Sequence, residues 1–305
     1  GPAQKHFIRG VAALHSFWYT EALNAFEQST IADSEFAMGY WGLAMAHNHP
    51  LWEDQDKKSA IEALSKITDI SKLTQREQDY IHAVRLLYGD EEKQMRDKAY
   101  SKAMENIYHK YPNDLEAACF YSLSKLGLAR NTVDKLRLQV EAGAIALEVF
   151  QESPDHPCAA HYAIHAFDHP DLARLALPSA KRYAKIAPAS HHAQHMSAHI
   201  FVQLGMWPDA VISNKKGWMV GTNATYGIGT PYNVNRFVSQ KTTPYNYQDG
   251  ELKDDRKLVV QQNTLSGVGK MRSQFVADSD GITSVRYYIG DNVTLSDGWM
   301  LSSAP

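Results

Sequence analysis

A chain of 305 residues with 44% hydrophobic content is long enough for one large core, two domains or an elongated repeat array, and this composition is not that of a disordered protein. Its 31 Lys+Arg against 34 Asp+Glu leave a formal charge of −3, with no basic stripe for nucleic acid and no long acidic tail. No run approaches about 18 apolar residues, so no membrane span is expected, and Cys119 and Cys158 are too few for a disulfide framework.

The leading Gly1-Pro2 has the look of a protease scar. A cytoplasmic location and a periplasmic or secreted one after loss of a signal peptide are therefore both expected possibilities. The sequence carries no signal of oligomeric state.

In chain order, the first predicted unit runs from His6 to His47, an amphipathic helix pair with Gly10, Tyr19, Ala22 and Phe26 at repeat-like offsets. Between Asp54 and Gly89 the spacing loosens around an inserted segment, where Thr74 followed by Glu77 predicts a capped helix start. Helix pairs break at Ser34, Pro112, Pro154 and Pro188. The last two are 34 residues apart, the period of a tetratricopeptide helix-turn-helix unit. The 42 residues from Pro112 to Pro154 exceed that period, and the surplus is expected around Gly127 to Asp134. In the last unit Gly205 ends one helix and Trp207 and Ala210 start the next.

The fold class read from this pattern is all-α: a tetratricopeptide-like α-solenoid of stacked helix pairs over 1–216, followed by a less regular region over 217–305. Within that region, Tyr245–Val260 and Lys270–Ser279 are expected to supply further helices. The tail from Ile282 to Pro305 alternates weakly, and a hairpin and an arm wrapped over the solenoid are both expected possibilities.

All 14 histidines lie between His6 and His199, and eight of them fall between His156 and His199. His161 and His165 are four apart and so share a helix face; His195 and His199 repeat that spacing 34 residues later. In a repeat array equivalent positions of successive units stand side by side, so the two pairs are expected to face each other across a concave groove and chelate a metal ion. The same register places Trp41 and Cys119 in one column with His161 and His195, and Met45 with His165 and His199. His49 and His169 share a third column.

His192 and His169, with His49 and Cys119, are expected further ligands, and Asp168 a carboxylate that orients an imidazole. His156 and His191, at helix starts, are expected to be exposed. The alternative is that these histidines are packing residues that hydrogen-bond across stacked helices.

The segments PDHPCAAHYAIHAFDHP (from Pro154) and HHAQHMSAHIFVQLGMW (from His191) resemble the paired signatures of a bacterial tetratricopeptide-repeat family, which read close to PDHPGAAHYxIHAxD and HMPSHIFxRxGxW. Cys158 stands where that family has Gly, and Ser197-Ala198 replaces its Pro-Ser. All four paired histidines are retained. The resemblance implies the fold and the site but no reaction.

An all-imidazole site suits zinc, copper, iron or nickel rather than calcium or magnesium. Cys119 and Met45, if near, lean the choice toward copper. Two functions follow. One is a metalloenzyme, an oxidoreductase or hydrolase, whose groove holds a small or peptidic substrate against Trp41, Met45, Tyr121 and Tyr162. The other is a non-catalytic scaffold that binds a peptide or carries or senses metal. No phosphate loop, dinucleotide fingerprint, HExxH or Ser/His/Asp order is present.

Overall fold

The computed structural model describes residues 1–223, 259–265, 269–278, 281–289 and 299–302. The chain divides into two units, Gly1–Gly205 and Met206–Pro305.

The first unit is an all-helical solenoid of stacked helix pairs. Its helices are α1 (Pro2–His15), α2 (Tyr19–Ala32), α3 (Ala37–Ala46), α4 (Lys57–Ser65), α5 (Gln75–Leu87) and α6 (Lys93–Lys110). They continue with α7 (Leu115–Leu128), α8 (Lys135–Glu152), α9 (Pro157–Ala166), α10 (Ala173–Ile186) and α11 (His191–Gln203). Each breakpoint expected from the sequence falls between helices: Ser34 after α2, Pro112 after α6, Pro154 after α8 and Pro188 after α10.

Local chemistry sets these boundaries. Thr74 caps α5 in a capping box with Glu77, and Ser190 caps α11 by accepting from Ala193 N. Pro157 opens α9 at a position where its missing N–H costs nothing. The surplus of the third unit is a short 3-10 turn at Ala129–Asn131 and an α8 of 18 residues. The inserted segment adds a ribbon of two-residue strands, β1 (Asn48–His49) and β2 (Asp54–Gln55), before α4.

Neighbouring helices approach closely because the contact positions are small. Ala22, Ala44, Ala60, Ala117, Ala142 and Ala176 are wholly buried. A Cβ on Gly10 or Gly42 would fall 2.5 or 2.3 Å from the buried ring of Phe26, so that ring occupies the space two glycines leave. The C-terminal end of α1 also packs on α9. This long-range closure brings the first helix onto the histidine-bearing one.

In the second unit α12 (Trp207–Asn223) continues past Lys216, beyond the point where irregular chain is expected. Strands β3 (Val259–Leu265), β4 (Gly269–Asp278), β5 (Gly281–Ile289) and β6 (Trp299–Ser302) form an antiparallel sheet in that order. The helix expected over Lys270–Ser279 is therefore a strand, paired on both sides by β3 and β5. Ladder pairing on both sides outweighs the weak helical preference of so short a segment. The alternation of the tail does correspond to strands, since β5 pairs with β6. Of the helix expected over Tyr245–Val260, only Val259 and Val260 are among the described residues, and they open β3.

Candidate metal centre

His161 and His165 lie one turn apart on α9, and His192 lies in the first turn of α11. His161 Nε2 is 3.0 Å from His192 Nε2 and 3.0 Å from His165 Nε2. The three donor atoms lie within 4.8 Å of one another. Nitrogen ligands at about 2.0–2.1 Å from a tetrahedral ion stand roughly 3.3 Å apart, close to this spacing.

The tautomer of His161 is dictated by its other nitrogen. His161 Nδ1 is 2.6 Å from the His15 carbonyl oxygen, which can only accept, so Nδ1 carries the proton and Nε2 a lone pair. That single in-plane lone pair faces two imidazole nitrogens at once. A proton satisfies one of them; a cation at the centre satisfies all three. A backbone carbonyl on the far nitrogen is also how metal-bound histidines are commonly oriented.

The surroundings are aromatic. Phe17 lies over the cluster, its ring centroid 4.3 Å from His161, 5.4 Å from His165 and 5.7 Å from His192. Tyr183 stacks on His161 at 4.9 Å, and Trp52 meets His192 edge-on. Phe17 adopts φ 52°, a left-handed conformation that costs a bulky side chain about 1–2 kcal/mol and is kept here by the ring's packing.

Burial sets the charge state. It lowers the His161 pKa to about 3, outweighing the opposing hydrogen bond to the His15 carbonyl. Burial, then the neighbouring imidazoles, push His165 and His192 well below the ordinary histidine range. All three are neutral, the only form that ligates.

His195 and His199 form a second pair, Nε2 to Nε2 at 3.0 Å. His199 Nδ1 donates to Asp168 Oδ2 at 2.8 Å, and Asp168 Oδ1 accepts from Gln203 at 2.9 Å. Burial raises the Asp168 pKa, but the His199 hydrogen bond and charge outweigh it, and the net shift is downward. The pair acts electrostatically on His165. The contacts His161–His192, from α9 to α11, and Asp168–His199, from the turn after α9 to α11, both span 31 residues, where the repeat period implies 34. The partner on α11 is thus one helical turn earlier than expected, which brings His192 rather than His195 opposite His161.

The remaining expected ligands lie elsewhere. His49 lies between two acceptors, Asp54 Oδ2 at 3.0 Å from its Nδ1 and the Ala46 carbonyl oxygen at 3.2 Å from its Nε2, and His169 Nδ1 accepts from Asp171 N on an exposed turn. Cys119 is joined to Cys158 in a disulfide beside His156, and Met45 sulfur accepts from the Tyr100 hydroxyl. The two soft donors that lean the site toward copper are thus not part of the three-histidine cluster. His191 is buried, not exposed, and burial lowers its pKa to about 4; His156 is half-buried.

Trp41, Met45, Tyr121 and Tyr162 are buried. Helix α1 covers two of them: its Phe7 packs on Trp41, and His15 Nδ1 is 2.8 Å from the Tyr162 hydroxyl. Trp41 borders a half-open pocket of about 410 Å³ with Phe7, Tyr80, Glu116, Phe120 and His156. Glu116 is held there by His15 Nε2 at 2.6 Å and His156 Nε2 at 3.3 Å; burial raises its pKa, but these two histidines reverse the shift and hold it far below the usual carboxylate range. Sequence reasoning missed Phe17, Tyr183 and Glu116. Only the unusual density of aromatics in HSFWY, immediately after α1, hinted at the first.

No protein-family profile matches the chain, and no curated protein matches it significantly.

Proposed function

We propose that this protein holds a transition-metal ion, zinc, copper or iron, through His161, His165 and His192, with His195 and His199 as an adjacent donor pair. We further propose that it belongs with the bacterial tetratricopeptide-repeat family whose histidine signatures it resembles. One observation carries the reading: three neutral imidazole nitrogens, on the buried His161 and His192 and the half-buried His165, converge on one point, and the tautomer of the central one is set by the His15 carbonyl.

Carrying or sensing the ion fits the site better than turnover does, because Phe17, Trp52 and Tyr183 surround the cluster with apolar surface. The number of donors supports a second reading, a metal-dependent oxidoreductase or hydrolase acting on a small or peptidic ligand. Three histidines leave a fourth coordination position to water or substrate.

The test is elemental analysis of the parent after reconstitution with each of the three metals in turn, alongside His161→Ala. One equivalent in the parent and its loss in the variant are expected. Equal, sub-stoichiometric metal in both overturns the reading. Azide added to the cobalt-substituted protein separates the two functions, because only an open position lets it alter the visible spectrum.

A further inference from the structure

The second cluster of potential ligands is independent of the first. Cys119 on α7 and Cys158 on α9 are both wholly buried, with their Cα atoms 5.9 Å apart. That separation suits a disulfide, and it equally suits two thiolates on one ion. His156, the residue before α9, stands between this pair and the cavity carboxylate. Its Nδ1 is 3.7 Å from Cys119 Sγ and its Nε2 is 3.3 Å from Glu116 Oε1.

The orientation of that ring is informative. A carboxylate offers only acceptor oxygens, so the ring proton sits on Nε2 and the Nδ1 lone pair points at the sulfur. A disulfide sulfur has no proton to give it. In the oxidised protein the lone pair therefore faces an atom that cannot satisfy it, whereas a metal ion shared with the sulfurs does. The donor atoms of Cys119, Cys158 and His156 all lie within 4.8 Å of one another. With Zn–S near 2.3 Å and Zn–N near 2.0 Å, a tetrahedral S···N edge is about 3.5 Å, close to the spacing found. Glu116 behind His156 supplies the carboxylate that such a histidine ligand commonly has.

We propose that Cys119, Cys158 and His156 form a second, redox-gated site that takes a thiophilic ion, zinc, once the disulfide is reduced. A dithiol supplies two electrons and two protons to the S–S bond, which opens to two thiols as the reductant closes to its own disulfide. Zinc then displaces both thiol protons to solvent and takes the His156 Nδ1 lone pair as third ligand. Disulfide and metal are mutually exclusive, so occupancy reports the thiol–disulfide poise of the surroundings.

Cobalt(II), a spectroscopically visible stand-in for zinc, is the probe. The full chain, oxidised or reduced anaerobically with dithiothreitol and desalted, is titrated with it. The reduced protein is expected to bind one more equivalent than the oxidised, with intense thiolate-to-cobalt absorption in the near ultraviolet. Cys158→Ser should abolish that gain, and His156→Ala should weaken it by at least about tenfold. The same gain in a His161→Ala background separates this site from the three-histidine cluster, so either can fail without the other. If oxidised and reduced protein bind alike with no thiolate absorption, the pair is a structural disulfide and the proposal is wrong. That comparison uses the parent alone, so it decides even if Cys158→Ser does not fold.

Discussion

His161 Nδ1 donates to the carbonyl oxygen of His15 at 2.6 Å, across 146 residues of chain. The bond ties the last turn of α1 to α9 and aims the opposite lone pair of the ring at His165 and His192. Structure and site thus share one hydrogen bond.

Replacing the central ligand should therefore cost more than replacing a peripheral one. His161→Gln is expected to remove most bound metal and to lower stability by about 0.5–3 kcal/mol, since the amide does not fill the ring's place against Phe17 and Tyr183. His192→Ala should remove metal with a smaller stability loss. His6→Ala, on the half-exposed outer surface of α1, should change neither. Metal content by elemental analysis and denaturant midpoints give both readouts. Retention of a full equivalent by His161→Gln would place the ion elsewhere.

Much of this was legible in the sequence, and what was not is of one kind. The breaks at Ser34, Pro112, Pro154 and Pro188, the Thr74 cap and the shared face of His161 and His165 are local properties, set by spacing and turn chemistry. The identity of the third ligand is not local. It depends on how α9 and α11 cross, and a slip of one turn, about 5.4 Å, exchanges His195 for His192. The burial of Tyr162 likewise follows from α1 meeting α9, a contact between distant segments that no repeat period encodes. Strand β4 was misread because a ten-residue segment carries too few turns to separate the two periods.

Acid should destabilise the metal-free protein. His161 and His191, with pKa lowered to about 3 and about 4, and His165 and His192, held well below the ordinary range by burial, remain neutral when folded. Once unfolded they titrate near the ordinary value of about 6.5. Below that value the unfolded state binds more protons, so stability is fully present above it and falls as pH drops toward the folded values. Each group contributes a slope of up to about 1.4 kcal/mol per pH unit. Urea midpoints of chelator-treated protein should drop steadily between about pH 6.5 and about pH 5, where ordinary carboxylates do not yet titrate. A flat profile would mean that these imidazoles are solvated.

The close approach of α1, α2 and α3 predicts a sharp asymmetry among glycines. A Cβ at Gly42 would sit 2.3 Å from Phe26, a fully buried ring with Gly10 also against it. Gly42→Ala should cost about 1–3 kcal/mol or more through overpacking, lowering Tm by roughly 2–4 °C per kcal/mol. At Gly89 the nearest atom to an added Cβ is 3.8 Å away, so Gly89→Ala should be close to neutral. Thermal melts of the two variants test this, and equal effects would refute the helix spacing described for this region.

The role of the second histidine pair can be separated from that of the first through Asp168. Its Oδ2 accepts from His199 Nδ1 at 2.8 Å, which leaves the His199 Nε2 lone pair facing His195 Nε2 at 3.0 Å. Asp168→Asn keeps the shape but removes the charge that holds this tautomer, and its amide has an equal chance of presenting a donor to the same nitrogen. If His195 and His199 share the ion with His161, His165 and His192, metal affinity should fall by about 10–100-fold, the usual cost of losing a carboxylate behind a ligating histidine. If the three-histidine cluster binds alone, affinity should stay within a few-fold of the parent, because Asp168 touches none of its members. Competition with a chelator of known strength measures the difference. His199→Ala serves as the check: it should match Asp168→Asn in the first case and leave binding intact in the second, whereas a loss of metal in His199→Ala alone would assign His199 as a ligand whose orientation does not depend on Asp168.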